Sequence, residues 1–292
     1  MTSIAQWVSG ARPRTLTAAV VPVVIGGCVA SRDVEITSGT ASRITAALIV
    51  SLALQIAVNF ANDYSDGVRG TDDTRSGPQR LVGSGAASPR AVKMAAFIAF
   101  GVAAVAGLYL AAQTTWWLLL VGVISMVAAW TYTGGPRPYG YAGLGEAFVF
   151  VFFGLVATAG TCFVAVENVS RLSLVSGAMS GCLSVALLVV NNIRDIASDR
   201  ESGKMTLAVR LGASRSRALY AGCYVFAGFW MLVAAFEVWL ALIGVVGLLA
   251  ALPAIATVRN ATSPGELIRA LGMTARAQMV VGVLYSVGVL LG

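Results

Sequence analysis

The sequence predicts an all-α integral membrane protein, with about nine transmembrane helices around a central cavity that opens toward the cytoplasm. Three observations carry that prediction. Hydrophobic residues make up 58% of the chain and charged residues only 11%, whereas about a quarter of a soluble domain is charged. Long apolar runs recur along the whole chain, each near the roughly 20 residues that cross a bilayer. All but Arg32, Arg43 and Arg171 of the twenty Lys and Arg fall on alternate connections between those runs.

The expected spans are 15–31, 41–62, 91–112, 115–132, 143–165, 172–194, 215–235, 238–258 and 272–291. The first follows Arg12 and Arg14 and ends in Cys28-Val29-Ala30. It reads as a retained span rather than a cleaved signal, because everything after it is also membrane-embedded. A very short turn joins the third span to the fourth. No polar block is long enough to fold separately, so residues 1–292 form a single transmembrane domain.

Nine spans put the termini on opposite sides. The basic side is cytoplasmic by the positive-inside rule, which predicts a multi-pass protein of the cell membrane with its N-terminus inside and its C-terminus outside. The net charge of +7 follows from this topology and signals no nucleic-acid partner. The bilayer itself is the implied partner.

Residue types narrow the chemistry further. Histidine is absent, which excludes Ser-His and Cys-His nucleophile pairs and any imidazole metal site. Cys28, Cys162, Cys182 and Cys223 all lie in apolar segments without a C-x-x-C pair, so neither a zinc site nor a disulfide framework is signalled. Oxygen ligands and hard cations remain.

Two acidic clusters lie on the basic side, where topology alone does not account for them. In Val58 to Asp73, residues Asn59, Asp63 and Asp66 are spaced i, i+4, i+7 and share a helical face. Far downstream, Asn191, Asp195 and Asp199 repeat the layout at i, i+4, i+8. Carboxylates brought together in this way repel one another unless cations sit between them. Mg2+ suits such a site, since it takes one or two carboxylates and completes its shell with water and phosphate oxygens. Arg69, Arg80, Arg194 and Lys204 are the cations nearest in sequence, and a diphosphate satisfies metal and guanidinium together. Asp72 and Asp73, beyond Gly67 and Gly70, read as loop residues that close over it.

Two further polar stretches lie on the same face, Gly77 to Ser84 and Thr133 to Tyr141. By default both are turns, and the second brings Tyr132, Tyr139 and Tyr141 toward an aromatic pocket. Glu146 falls just inside the fifth span, where a carboxylate needs a partner or water. It reads either as a group that orients or deprotonates a substrate hydroxyl or as an ion-pair partner.

Asn62-Asp63-Tyr64-Ser65-Asp66 and the run from Asn191 to Asp199 resemble the two Asp-rich motifs of the UbiA-type membrane prenyltransferases. Within that family GPQRLVGS, YTGGPRPYGYAGLGE and KMTLAVRLG are most similar to the members that prenylate 1,4-dihydroxy-2-naphthoate in menaquinone biosynthesis. The resemblance runs from Arg12 to about Gly212. It implies Mg2+-dependent transfer of a polyprenyl group from polyprenyl diphosphate to that aromatic acid, with decarboxylation to a demethylmenaquinol. It also implies metal ligation by Asn59, Asp63, Asp66, Asn191, Asp195 and Asp199, diphosphate binding by Arg69, Arg80, Arg194 and Lys204, and catalytic roles for Glu146, Tyr139 and Arg80. Two alternatives stand beside it: a different aromatic acceptor, such as 4-hydroxybenzoate or homogentisate, and a cation-coupled secondary transporter.

Overall fold

A computed structural model of the protein describes residues 2–71, 77 and 80–292. Asp72, Asp73 and Arg75 lie outside the described residues. The described chain is helical: α1 (Ile4–Gly10), α2 (Thr17–Ala30), α3 (Ser38–Arg69), α4 (Pro89–Gln113), α5 (Trp117–Thr131), α6 (Gly145–Val166), α7 (Arg171–Arg194), α8 (Ile196–Glu201), α9 (Leu207–Ala235), α10 (Trp239–Asn260) and α11 (Pro264–Leu291).

Each of the nine expected runs coincides with a helix. Among the described residues seven helices are long and apolar enough to cross a bilayer, and the pair Ile4–Thr15 and Thr17–Ala30, bent by 51°, makes an eighth if counted as one span. The break between the two falls at Leu16, and within the first of them Arg12 takes a left-handed φ of 53° and is followed by Pro13. α5 is the remaining run. Its 15 residues rise only about 22 Å, short of a ~30 Å hydrocarbon core.

Two boundaries differ from expectation in ways that shape the site. α3 does not stop at residue 62 but continues through the acidic stretch to Arg69, where Gly70 at φ 73° ends it in the left-handed cap conformation that glycine adopts without strain. Its 32 residues rise about 48 Å, so the helix stands well clear of a bilayer. In the other motif the helix breaks: α7 ends at Arg194, Asp195 takes φ −94° and ψ 5°, and Asp199 belongs to the short α8. The expected start at 215 falls just past a second break, since α9 begins at Leu207 but is kinked at Gly212 (φ 76°).

α7 is the most buried of the spans. Its face toward α6 is made of small residues, and there the helices touch backbone to backbone: a Cβ on Gly154 would lie 2.5 Å from Gly181 Cα. Without a hydrophobic force between helices in lipid, close packing of small residues holds such pairs. Gly154 lies in a π-helical turn, Val151–Val156, which widens α6 where it lines the cavity.

At the opposite end the three exceptional cations are all engaged. Arg43 pairs with Glu167 at 3.1 Å, Arg171 with Glu237 at 3.5 Å, and Arg32 donates to the Val289 carbonyl at 2.9 Å.

Candidate active site

A single long cavity joins the two acidic segments at its polar end and runs into the bundle between α3, α4, α5 and α6. Asn59, Asn62 and Asp66 reach it from α3, Asn191 and Asn192 from α7, and Asp195, Asp199 and Lys204 from the segment that follows. Arg12 and Arg80 also line this end. Farther in, the walls become apolar: Leu54 on α3, Leu110 on α4, Leu118 and Val121 on α5, and Phe152 and Val156 on α6. One compartment therefore offers charged groups at the mouth and a greasy channel behind them.

Asp66 is the hub of the mouth. Its Oδ1 accepts from the Tyr141 hydroxyl at 2.8 Å, and its Oδ2 lies 3.1 Å from Lys204 Nζ. The same ammonium is 3.8 Å from Asp199 Oδ1, so one lysine bridges the two motifs. Burial alone would lower the Lys204 pKa. The adjacent Asp66 and Asp199 charges outweigh it and push the group up to about 12. Burial, with Asp66 beside it, raises the Tyr141 phenol, and burial raises that of Tyr139. Both tyrosines are therefore neutral at working pH.

Asp63 lies in a different neighbourhood from the one its spacing suggests. Its two oxygens accept from the backbone N–H groups of Leu81 and Val82, both at 2.9 Å, and it does not line the cavity. α3 uses this carboxylate to hold the loop that carries Arg80. Asn59 lines the cavity, but its amide NH2 is spent on the Ala11 carbonyl (2.9 Å) and Thr15 Oγ1 (3.2 Å), which docks the bend before α2.

The four basic residues separate in a similar way. Arg80 and Lys204 line the cavity; Arg69 and Arg194 do not. Arg194 forks onto Asp195, with both nitrogens at 2.7 Å, and is buried. Arg69 donates to the Thr133 and Gly135 carbonyls and lies 5.2 Å from the centre of the Tyr141 ring, as Lys204 does. It acts as a strut between α3 and the Gly-, Pro- and Tyr-rich loop. Tyr139 lines the cavity and stacks on Phe148, ring centres 3.9 Å apart.

Glu146 is buried behind the wall rather than on it, and its Oε1 accepts from Asn192 Nδ2 at 2.9 Å. Its other oxygen, Oε2, has no hydrogen-bond partner among the described residues. The sequence assigns no role to Asn192 or Asn62 beyond membership of the two motifs. Asn192 precedes Asp195 by three residues and so shares its helical face, a signal that was there to read. Asn62 accepts from Thr133 Oγ1 at 2.8 Å, a contact across 71 positions that no local pattern announces.

The donor set at the mouth is oxygen only, which fits Mg2+ rather than zinc or copper. Among the described residues no three acidic groups already converge as a metal cage.

Comparison with known proteins gives a consistent picture. The model of the UbiA prenyltransferase family matches residues 19–289. The 1,4-dihydroxy-2-naphthoate octaprenyltransferase of Mycobacterium tuberculosis is 47% identical over 280 residues, covering 96% of this chain and 95% of that protein. A UbiA homolog from Aeropyrum pernix superposes with a TM-score of 0.68 at 18% identity, covering 91% of this chain and 95% of that one. One from Archaeoglobus fulgidus, solved with DMAPP and Mg2+, does so with a TM-score of 0.64 at 13% identity, covering 98% and 99%. At these identities the two structures establish the shared fold.

Proposed function

The chain belongs to the UbiA prenyltransferase family, and on that premise we propose that it is a multi-pass membrane enzyme which transfers a polyprenyl group from polyprenyl diphosphate to 1,4-dihydroxy-2-naphthoate. The observation that carries the reading is the single cavity with two acidic motifs, Arg80 and Lys204 at its mouth and apolar walls behind them. That arrangement matches a molecule with an anionic head and a long isoprenoid tail. A transporter would place its carboxylates near the bilayer midplane, whereas Asp66, Asp195 and Asp199 sit at helix ends.

Asp66, Asp195 and Asp199, with the Asn191 carbonyl, would hold Mg2+, whose charge when bound offsets that of the departing diphosphate. Arg80 and Arg12, and Lys204 once a bound metal takes its place between Asp66 and Asp199, would give the diphosphate cationic donors where negative charge develops. The apolar side chains behind them exclude water from the allylic cation left when the C1–O bond breaks. The faces of Tyr139 and Phe148 border the same space, and aromatic faces attract cations.

The electron-rich naphthoate ring then attacks C1 of the prenyl chain. A new carbon–carbon bond forms at the carbon bearing the carboxylate, and loss of carbon dioxide restores aromaticity. No protein nucleophile takes part, in keeping with a chain that has no histidine. The whole chain acts as one domain, with the N-terminus and the cavity mouth on the cytoplasmic side. Support for that orientation comes from the twenty basic residues, of which only Arg32, Arg43 and Arg171 lie on the other side.

Purified protein given 1,4-dihydroxy-2-naphthoate, a polyprenyl diphosphate and Mg2+ forms prenylated product and diphosphate, detected by mass spectrometry. Full turnover in excess chelator ends the reading, as does equal or better use of 4-hydroxybenzoate or homogentisate in a competitive panel.

A further inference from the structure

Three features of Asn192 belong together. Its side chain lines the cavity, on the same helix as Asn191 and one turn before Asp195. Its Nδ2 edge is turned away from the cavity and donates to Glu146 Oε1 at 2.9 Å. No donor among the described residues engages its Oδ1. A side-chain amide has one donating and one accepting edge. With the donating edge fixed on a carboxylate, the carbonyl oxygen is the edge left for a ligand.

Glu146 is an unusual residue to find in that supporting position. It is buried, it does not line the cavity, and its Oε2 is without a partner among the described residues. A leucine or methionine would fill the volume without that cost. What the carboxylate does and an apolar residue cannot do is accept the Asn192 amide protons and so prevent the amide from turning over.

Asn62, in the same cavity, is held the opposite way round. Its Oδ1 accepts from Thr133 Oγ1 at 2.8 Å, which leaves its NH2 as the available edge. The wall therefore presents one oxygen acceptor and one NH2 donor at separate, fixed points. An acceptor ring that carries both a hydroxyl and a carboxylate needs that complement.

We infer that Asn192 Oδ1 accepts a hydrogen bond from a ring hydroxyl of the aromatic substrate, and that Glu146 is the positioning residue that keeps this oxygen turned into the cavity. The inference rests on the proposed function and names the residue that selects a phenolic acceptor. Discrimination of this kind is strong, because an acceptor without the hydroxyl leaves a buried oxygen unpaired.

The test uses full-length protein in detergent or nanodiscs and compares 1,4-dihydroxy-2-naphthoate with its two monomethyl ethers. The wild type prefers the free hydroxyl over the methyl ether at one ring position by at least about 100-fold in kcat/KM. Asn192→Leu brings that preference to within about threefold while the KM for prenyl diphosphate stays within about twofold. Glu146→Met, which leaves the amide free to turn, raises the KM for the acceptor roughly tenfold with a smaller effect on kcat. The double variant Glu146→Gln, Asn192→Asp conserves total charge and again turns an oxygen toward the cavity, so it restores the preference. A purely structural pair would regain stability in the double variant without regaining discrimination.

Wild-type discrimination in Asn192→Leu overturns the inference, as does a shift confined to Mg2+ dependence and diphosphate KM. So does a folded double variant that does not discriminate. If Asn192→Leu fails to fold, Glu146→Met and the double variant decide. If the wild type does not prenylate 1,4-dihydroxy-2-naphthoate, the proposed function falls, and the same comparison is made with whichever phenol the enzyme accepts.

Discussion

Lys204 Nζ lies 3.1 Å from Asp66 Oδ2, and this contact between residues 138 positions apart joins the two acidic motifs. The ammonium occupies the position a cation must take to relieve the repulsion of Asp66 and Asp199. Lys204→Met removes the positive charge that Asp66 and Asp199 share, and breaking a buried pair in this way costs on the order of 3 kcal/mol. The sign of the pH dependence follows from the raised pKa. The contribution is complete below the ordinary lysine value of 10.5 and is lost only as pH rises toward about 12. Thermal unfolding of wild type and Lys204→Met therefore differs by a constant increment from about pH 6 to about pH 9.5. A gap that closes within that window contradicts the pairing.

Asp63 and Asp66 look equivalent in sequence and are not equivalent in space. Asp63 holds the backbone of Leu81 and Val82, whereas Asp66 faces the cavity. Asp66→Asn lowers kcat/KM on the order of 100-fold or more and weakens the Mg2+ dependence. Asp63→Asn loses charge-assisted hydrogen bonds worth about 1.5–3 kcal/mol each. Its effect falls on thermal stability and on the KM for diphosphate, through a loosened Arg80 loop. Mg2+ titrations of the two variants separate the roles: an unchanged Mg2+ half-saturation in Asp63→Asn is expected, and a shift as large as that of Asp66→Asn would return Asp63 to the ligand set.

The fold was legible because lipid imposes a strong rule: apolar runs bounded by charges mark spans, and every expected run is a helix. The polar face was legible because asparagine and aspartate at helical spacing are costly at a membrane boundary without a task. What spacing alone left open was the partner of each side chain. The backbone N–H groups that claim Asp63 belong to a loop 18 and 19 positions away, and the Asp195 fork that claims Arg194 depends on a helix break at that point. Neither is encoded in periodicity. The depth of Glu146 in the membrane marks it in the sequence, but its partner Asn192 lies 46 positions on, and only the packing of α6 on α7 reveals the pair.

Gly154 tests that packing directly. A Cβ there would stand 2.5 Å from Gly181 Cα and 2.7 Å from the Gly177 carbonyl oxygen. Both are backbone atoms that no rotamer change moves aside, so α6 must withdraw from α7. Gly154→Ala is expected to cost about 1–3 kcal/mol, the usual penalty for overpacking, and to disturb the Glu146–Asn192 contact at the same interface. Thermal unfolding in detergent measures the first effect and the KM for the acceptor the second. Gly160, around which an added Cβ meets nothing within 4 Å, is the control: Gly160→Ala leaves stability within about 0.5 kcal/mol.

Arg69 supplies the last test, because sequence proximity suggests a phosphate ligand and the structure gives it a strut. Its guanidinium donates to two carbonyls of the 133–141 loop and lies beside the Tyr141 ring, while Tyr141 in turn donates to Asp66. Losing the fork frees that loop and, through Tyr141, one side of Asp66. Arg69→Lys keeps the charge but cannot reach two carbonyls with planar geometry. If Arg69 bound diphosphate through charge alone, lysine would preserve most of the affinity. As a strut, Arg69→Lys resembles Arg69→Ala, with both lowering thermal stability by about 1–3 kcal/mol and both raising the KM for the acceptor at least as much as that for prenyl diphosphate. Rescue of the diphosphate KM by lysine, without a stability loss in alanine, would return Arg69 to the phosphate-binding set.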